Sequence, residues 1–192
     1  MRKLIYGVGE CNKGKFQTKI DGKTARLYSI WSHMIQRCYC PIAMAKNPAY
    51  VDCGVDTRFL KFQEFAAWAS SQQGFDKGWA LDKDILIKGN KTYGPEQCIF
   101  VPMYINSLFA RTKATRGANP IGVTERNGRY IAALSTKHGK RYLGSHDSQE
   151  AAFFAYKDGK ERYIKEVADS WKAELDPRAY AALMAYQVEI TD

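Results

Sequence analysis

Residues 121–135 read Ile-Gly-Val-Thr-Glu-Arg-Asn-Gly-Arg-Tyr-Ile-Ala-Ala-Leu-Ser, and the fold of the C-terminal half turns on them. Asn127-Gly128 lies between two alternating runs and is a hairpin signal, because both residue types accept the positive φ of a two-residue turn. The flanking runs, Ile121 to Arg126 and Arg129 to Ser135, therefore predict two antiparallel strands; a turn at His138-Gly139 and a third strand over Arg141 to Ser145 follow. Alternation at period two then sorts the side chains. Val123, Tyr130, Ala132, Leu134 and Leu143 are the face that can lie under a helix. Thr124, Arg126, Arg129, Lys140 and Tyr142 point the other way. Cations, a hydroxyl and an aromatic on an open sheet suit phosphate contacts and readout of base edges in a groove of double-stranded DNA.

Moving outward, the covering helix begins at Ser148, where Asp147 and Glu150 have capping-box spacing and Ala151, Ala155, Ile164, Val167, Ala168 and Trp171 form the expected buried stripe, with Gly159 a weak point in its middle. Asp176-Pro177 starts a final short helix with Tyr180, Leu183, Met184 and Tyr186 inward. On the N-terminal side, residues 111–118 have no apolar periodicity and read as a basic linker. The predicted organisation is therefore a module over 1–110, the linker over 111–118, a sheet-plus-helix domain over 119–175 and a helical tail over 176–192, with an α+β fold.

Charge follows the same division. Residues 1–110 hold 15 Lys and Arg against 9 Asp and Glu, residues 111–146 hold 8 against 1, and residues 147–192 hold 6 against 10. A net +7 concentrated in one segment is an electrostatic footprint for a polyanion rather than charge spread for solubility. Composition excludes other classes. With 45% hydrophobic and 13% aromatic residues the chain is not a disordered polymer, and no apolar run approaches the roughly 20 residues of a membrane span. Neither a membrane partner nor a small-molecule cofactor is expected. The N-terminus lacks an apolar signal core, which predicts a cytoplasmic protein.

In the N-terminal module, Leu27, Ile30, Trp31, Met34 and Cys38 predict a helix over 26–38 with Arg26, His33 and Arg37 off its buried stripe, ended by Pro41. Val51, Cys53 and Val55 alternate as a strand. Phe59, Phe62, Phe65, Ala66 and Ala69 return to helical spacing. Ile85-Leu86-Ile87 and Cys98-Ile99-Phe100-Val101 flank a cluster of turn formers and predict a hairpin-like loop, then Pro102 and a helix to about 110. Five cysteines without a repeated Cys-x-x-Cys read as reduced, buried residues; the alternative is a structural zinc held by Cys38, Cys40, Cys53 and Cys98 with His33.

Two resemblances give these patterns a function. Residues 121–156, with Ile-Gly-Val-Thr-Glu-Arg, Arg-Tyr-Ile-Ala-Ala-Leu, Lys-Arg-Tyr-Leu-Gly-Ser and Glu-Ala-Ala-Phe-Phe-Ala-Tyr, resemble the ethylene-response-factor DNA-binding domain of the plant Apetala family. That family lays a three-stranded sheet in the major groove, and the resemblance implies DNA contacts by Thr124, Arg126, Arg129, Lys140 and Tyr142, with Tyr142 at a position usually held by Trp. The stretch Leu81-Asp82-Lys83-Asp84, Gly89-Asn90-Lys91 and Tyr93-Gly-Pro-Glu-Gln97-Cys98 resembles the HNH motif of phage-encoded homing-type endonucleases, whose fold is a two-strand-plus-helix metal finger. By that resemblance Asp82 and Gln97 hold Mg²⁺ or another divalent cation. Lys83 stands at the position of the family's basic His, Asn90 is the catalytic-motif Asn that holds the loop or orients the base, and Asp84 is a candidate second carboxylate. Lys83 is then expected to clamp the scissile phosphate, or, with a lowered pKa, to act as the base. The implied function is a metal-dependent endonuclease on double-stranded DNA in a bacterial host cell; the alternatives are a catalytically inactive DNA-binding accessory protein and, more remotely, an RNA-binding one.

Overall fold

The computed structural model describes residues 4–109, 119–190 and 192. The chain is a mixed α+β protein of two compact units, Met1–Met103 and Tyr104–Asp192. The expected linker over 111–118 lies outside the described residues. No helix among the described residues is long and apolar enough to cross a membrane.

In the first unit a short hairpin, β1 (Lys19–Ile20) and β2 (Lys23–Thr24), leads into helix α1 (Arg26–Tyr39). Trp31, Met34, Ile35 and Cys38 are buried on α1, and the Trp31 indole N–H donates to Phe59 O at 2.7 Å, pinning the chain ahead of α3 (Phe62–Ser71). Pro41 ends α1 and opens the short α2 (Pro41–Lys46). Arg26 lies off the buried stripe, as expected, yet is half-buried. Its guanidinium donates to Phe75 O at 2.5 Å and Trp79 O at 2.6 Å and lies over the Phe75 ring, so burial lowers its pKa while the backbone turn gains two charge-assisted bonds. The core is aromatic: Phe59, Phe62, Phe65 and Phe100 are fully buried, and Trp68 stacks on Phe100.

The expected strand over 51–55 shrinks to β3 (Gly54–Val55), with Val51 exposed; β3 pairs in parallel with β5 (Thr92–Tyr93). The predicted hairpin also moves. Its first strand is β4 (Ala80–Asp82), not the run Ile85–Ile87, and it pairs antiparallel with β6 (Ile99–Val101), Asp82 opposite Ile99. Asp82 explains the shift: its Oδ1 accepts from the Asp84 and Ile85 amides at 2.8 and 2.7 Å, turning the chain before Ile85 can extend. A short α4 (Met103–Ser107), which belongs to the second unit from Tyr104 on, follows and is shorter than the helix to 110 that the sequence predicts.

The second unit is a three-stranded antiparallel sheet, β7 (Val123–Arg126), β8 (Arg129–Thr136) and β9 (Gly139–His146), covered by α5 (Gln149–Ser170) and α6 (Pro177–Met184). Asn127 and Gly128 both take positive φ, 51° and 72°, which gives the two-residue turn its hand. The α5 cap differs from the capping-box expectation. Ser148, not Asp147, is the N-cap, accepting from the Ala151 amide at 3.1 Å. The buried stripe also rotates at its start: Ala152, Phe153, Tyr156, Gly159 and Tyr163 face inward, whereas Ala151 is exposed; Ile164, Val167 and Ala168 lie where expected. Gly159 marks the closest approach of helix to sheet, since a Cβ there would stand 2.8 Å from Leu143 Cδ1 and 3.4 Å from Leu134 Cδ2. On α6, Asp176 is the N-cap and Ala179 and Leu183 are buried; Tyr180, Met184 and Tyr186 are only half-buried.

Candidate functional site

The sheet's open face is built by register. Arg126 pairs with Arg129, Thr124 with Ile131, Ala133 with Tyr142 and Ser135 with Lys140, and directly paired residues share a face. A bulge at Ala132/Ala133 inserts Leu143 into β9, so Lys140 and Tyr142 point away from α5 while Leu143 reaches back toward Gly159. Thr124, Arg126, Arg129, Lys140 and Tyr142 therefore form one surface, all exposed, with Tyr142 64% so. The opposite face holds Val123, Ala132 and Leu134 in the core.

The cations on this face are held differently. Arg129 donates through Nε to Ser145 Oγ at 3.2 Å and through Nη2 to Ser145 O at 3.0 Å, and ion-pairs with Asp147. Among the described residues Arg126 and Lys140 have no carboxylate within ion-pair distance. Sequence reasoning did not single out Ser145 and Asp147 for this role. The signal is the register itself: Tyr130 lies opposite His146, so one step further puts Asp147 across from Arg129. Arg141 departs to the helix side, 3.8 Å from Glu166 and over the Tyr163 ring.

The second group of expected site residues gathers at the loop end of the β4–β6 hairpin. Lys83 is only 6% exposed. Its ammonium donates to both Asp84 carboxylate oxygens at 2.8 Å and to Asn90 O at 2.7 Å, which uses all three of its protons. Asn90 replies through Nδ2 to Lys83 O at 2.8 Å and Thr92 O at 2.7 Å, and its Oδ1 accepts from the Thr92 amide. Lys83 and Asn90 thus staple the ends of the 83–92 loop together. The side chain expected to meet a phosphate, or to accept a proton, is turned inward, because an ammonium in a buried position is tolerable only with its donors satisfied. Asp84 is committed to the same staple.

Asp82 is half-buried, and its carboxyl is held above the usual range, first by burial and then by the neighbouring Asp84 charge, against the pull of its two backbone amides. Both amides converge on Oδ1, and Oδ2 takes no part in the turn. Gln97 Oε1 is buried without a hydrogen-bond partner among the described residues, pressed toward Gly94, where a Cβ would stand 2.4 Å from it. A buried amide oxygen left unpaired costs about 1–3 kcal/mol. A carboxylate and an amide oxygen at the same end of a hairpin are hard ligands of the kind Mg²⁺ takes when waters and substrate phosphates complete its shell. Asp82 and Gln97 are thus oxygen donors of the right chemical kind, with the Gln97 oxygen buried beside Gly94. No histidine occurs between His33 and His138, so this hairpin supplies no imidazole.

Among the described residues no three His, Cys, Asp or Glu side chains converge as a metal-binding group. All five cysteines are free thiols. Burial pushes both the Cys38 and Cys98 thiols up to about 12.

No protein-family model matches the chain, and no curated protein or solved structure matches it.

Proposed function

We propose that the protein binds double-stranded DNA through the open face of β7, β8 and β9, laid along a groove. The observation that carries this reading is the register that gathers Thr124, Arg126, Arg129, Lys140 and Tyr142 on one exposed surface. Arg126 and Lys140, without a carboxylate partner among the described residues, suit phosphate oxygens, where charge counts more than direction. Arg129, steadied by Ser145 and Asp147, suits the edge of a base, where direction is decisive.

The first unit is read as an HNH-type endonuclease module that cuts the bound duplex. The specific support is the antiparallel β4–β6 hairpin with two oxygen donors toward its loop end, Asp82 Oδ2 and the unpartnered Gln97 Oε1. Those residues would hold a divalent cation, which when bound supplies an activated water and charge neutralisation at the phosphate. The chain's own residues do the rest: Asp82 shapes the turn, and Lys83 with Asn90 keeps the loop closed. Lys83 is neither base nor phosphate clamp in this reading. The second reading, a DNA-binding accessory protein without catalysis, is favoured by the inward commitment of Lys83 and Asp84 and by the absence of a histidine from the hairpin.

The deciding experiment incubates wild type and Asp82→Ala with supercoiled and linear DNA in Mg²⁺, Mn²⁺ or chelator. Metal-dependent cutting by wild type alone supports the nuclease. Equal cutting by both proteins overturns the Asp82 assignment, and duplex binding without cutting in any metal selects the accessory reading. Failure of wild type to bind duplex at all overturns the proposal.

A further inference from the structure

The first unit carries a second basic surface that neither the sheet face nor the hairpin uses. Residues 11–25 hold Lys13, Lys15, Lys19 and Lys23 against the single acid Asp21. All four lysines are exposed, and among the described residues none of them forms an ion pair. Such a segment in isolation would be a loose basic tail. Here it is anchored at both ends.

At the first anchor the Gln63 side chain, projecting from α3, fills the mouth of the loop. Its Oε1 accepts from the Phe16 amide at 3.0 Å, and its Nε2 donates to Asn12 O at 3.2 Å and Phe16 O at 2.9 Å. The loop wraps so closely that a Cβ on Gly14 would stand 2.5 Å from the Gln63 amide and would have to displace it. Lys13 and Lys15 flank that glycine. At the second anchor β1 and β2 close across the Asp21-Gly22 turn, both at positive φ, and the amide of buried Ala25 donates to Thr18 O at 2.9 Å. Lys19 lies opposite Thr24 and Lys23 opposite Ile20, so the hairpin shows a lysine on each face.

The geometry points to residues 11–24 as an independent DNA-contact surface, an anchored basic strap that takes backbone phosphates of double-stranded DNA. Charge names the partner: four ammonium groups on one short strap, without a carboxylate partner among the described residues, complement a polyanion. Lysine rather than arginine at every position fits point-charge contact with phosphate and not bidentate base reading. The anchoring removes part of the ordering cost that a loose tail would incur on binding. The strap therefore contributes affinity without sequence preference. This inference rests on the reading of the protein as a duplex-DNA binder.

The test measures duplex affinity of the full chain across salt concentrations. Replacing Lys13, Lys15, Lys19 and Lys23 by Gln should lower the slope of log affinity against log salt by about 2–3, at roughly 0.9 for each phosphate no longer neutralised, since only one of Lys19 and Lys23 can face the duplex. Relative affinities for different duplex sequences should not change. A charge-matched control, Lys46, Lys77, Lys165 and Lys172 to Gln, should leave the slope near that of wild type. Gln63→Ala keeps every charge but frees the loop, and should weaken binding several-fold. Wild-type slope in the strap variant, or an equal loss in the control, overturns the strap while leaving the sheet assignment standing; absence of duplex binding by wild type overturns both.

Discussion

At Asp82 a single carboxylate serves turn geometry and candidate chemistry together, and the two demands oppose each other. Its folded pKa is raised by burial, so the ionised form is disfavoured in the fold. The sign follows: the stability this group contributes is complete below its unfolded pKa, near 3.9, and is lost as pH rises through the higher folded value. Asp82→Asn keeps an acceptor for the two amides and removes the buried charge, so at pH 7 its Tm should equal or exceed that of wild type while metal-dependent cleavage disappears. A lower Tm in thermal denaturation would show the charged form to be stabilising. Lys83 behaves oppositely. Lys83→Met leaves Asn90 O and the Asp84 carboxylate without their donor, and should cost about 1–3 kcal/mol in denaturant unfolding. Lys83 was legible in the sequence as a departure from a motif, but not as a staple, because its partner carbonyl at Asn90 is seven residues away across a loop whose closure no periodicity announces.

Among the elements, α5 shows how two adjacent residues divide their work. Ser148 caps the helix, and Asp147 reaches across the sheet to Arg129. Ser148→Ala should therefore lower stability by about 1 kcal/mol in denaturant unfolding with DNA selectivity unchanged. Asp147→Ala should leave unfolding nearly as in wild type and weaken discrimination among duplex sequences, measured by competition binding, because Arg129 loses the carboxylate that orients it. The same helix carries Gly159, whose replacement by Ala sets a gain in helix propensity of about 0.8–1 kcal/mol against overpacking on Leu143 and Leu134. Overpacking of buried side chains costs about 1–3 kcal/mol, so a net loss of stability is expected, relieved when Leu143→Ala is added. Sequence spacing reads Gly159 as a weak point; contact with the sheet makes it the place where the helix fits.

Across the whole molecule, charge and cores are distributed between two units, and binding should register that distribution. Arg126→Ala with Arg129→Ala should reduce duplex affinity strongly and make its salt dependence shallower by about 1–2 in slope, measured by titration at several salt concentrations. Unchanged affinity and slope would remove the sheet from the interface. The sequence by itself determined the α+β class, α1 and α3 from their helical spacing, the three strands from alternation and the Asn127-Gly128 turn, and the face that carries Thr124, Arg126, Arg129, Lys140 and Tyr142. These are local properties, set by period and turn chemistry within a few residues. Only the tertiary structure decided that β4 starts at Ala80, that Lys83 points inward, that Arg26 binds Phe75 and Trp79 carbonyls, that Asp147 reaches Arg129, and that Gln63 anchors a basic strap. Each depends on which backbone groups lie unpaired nearby once distant segments have packed, and hydrogen-bond demand of that kind leaves no periodic trace along the chain.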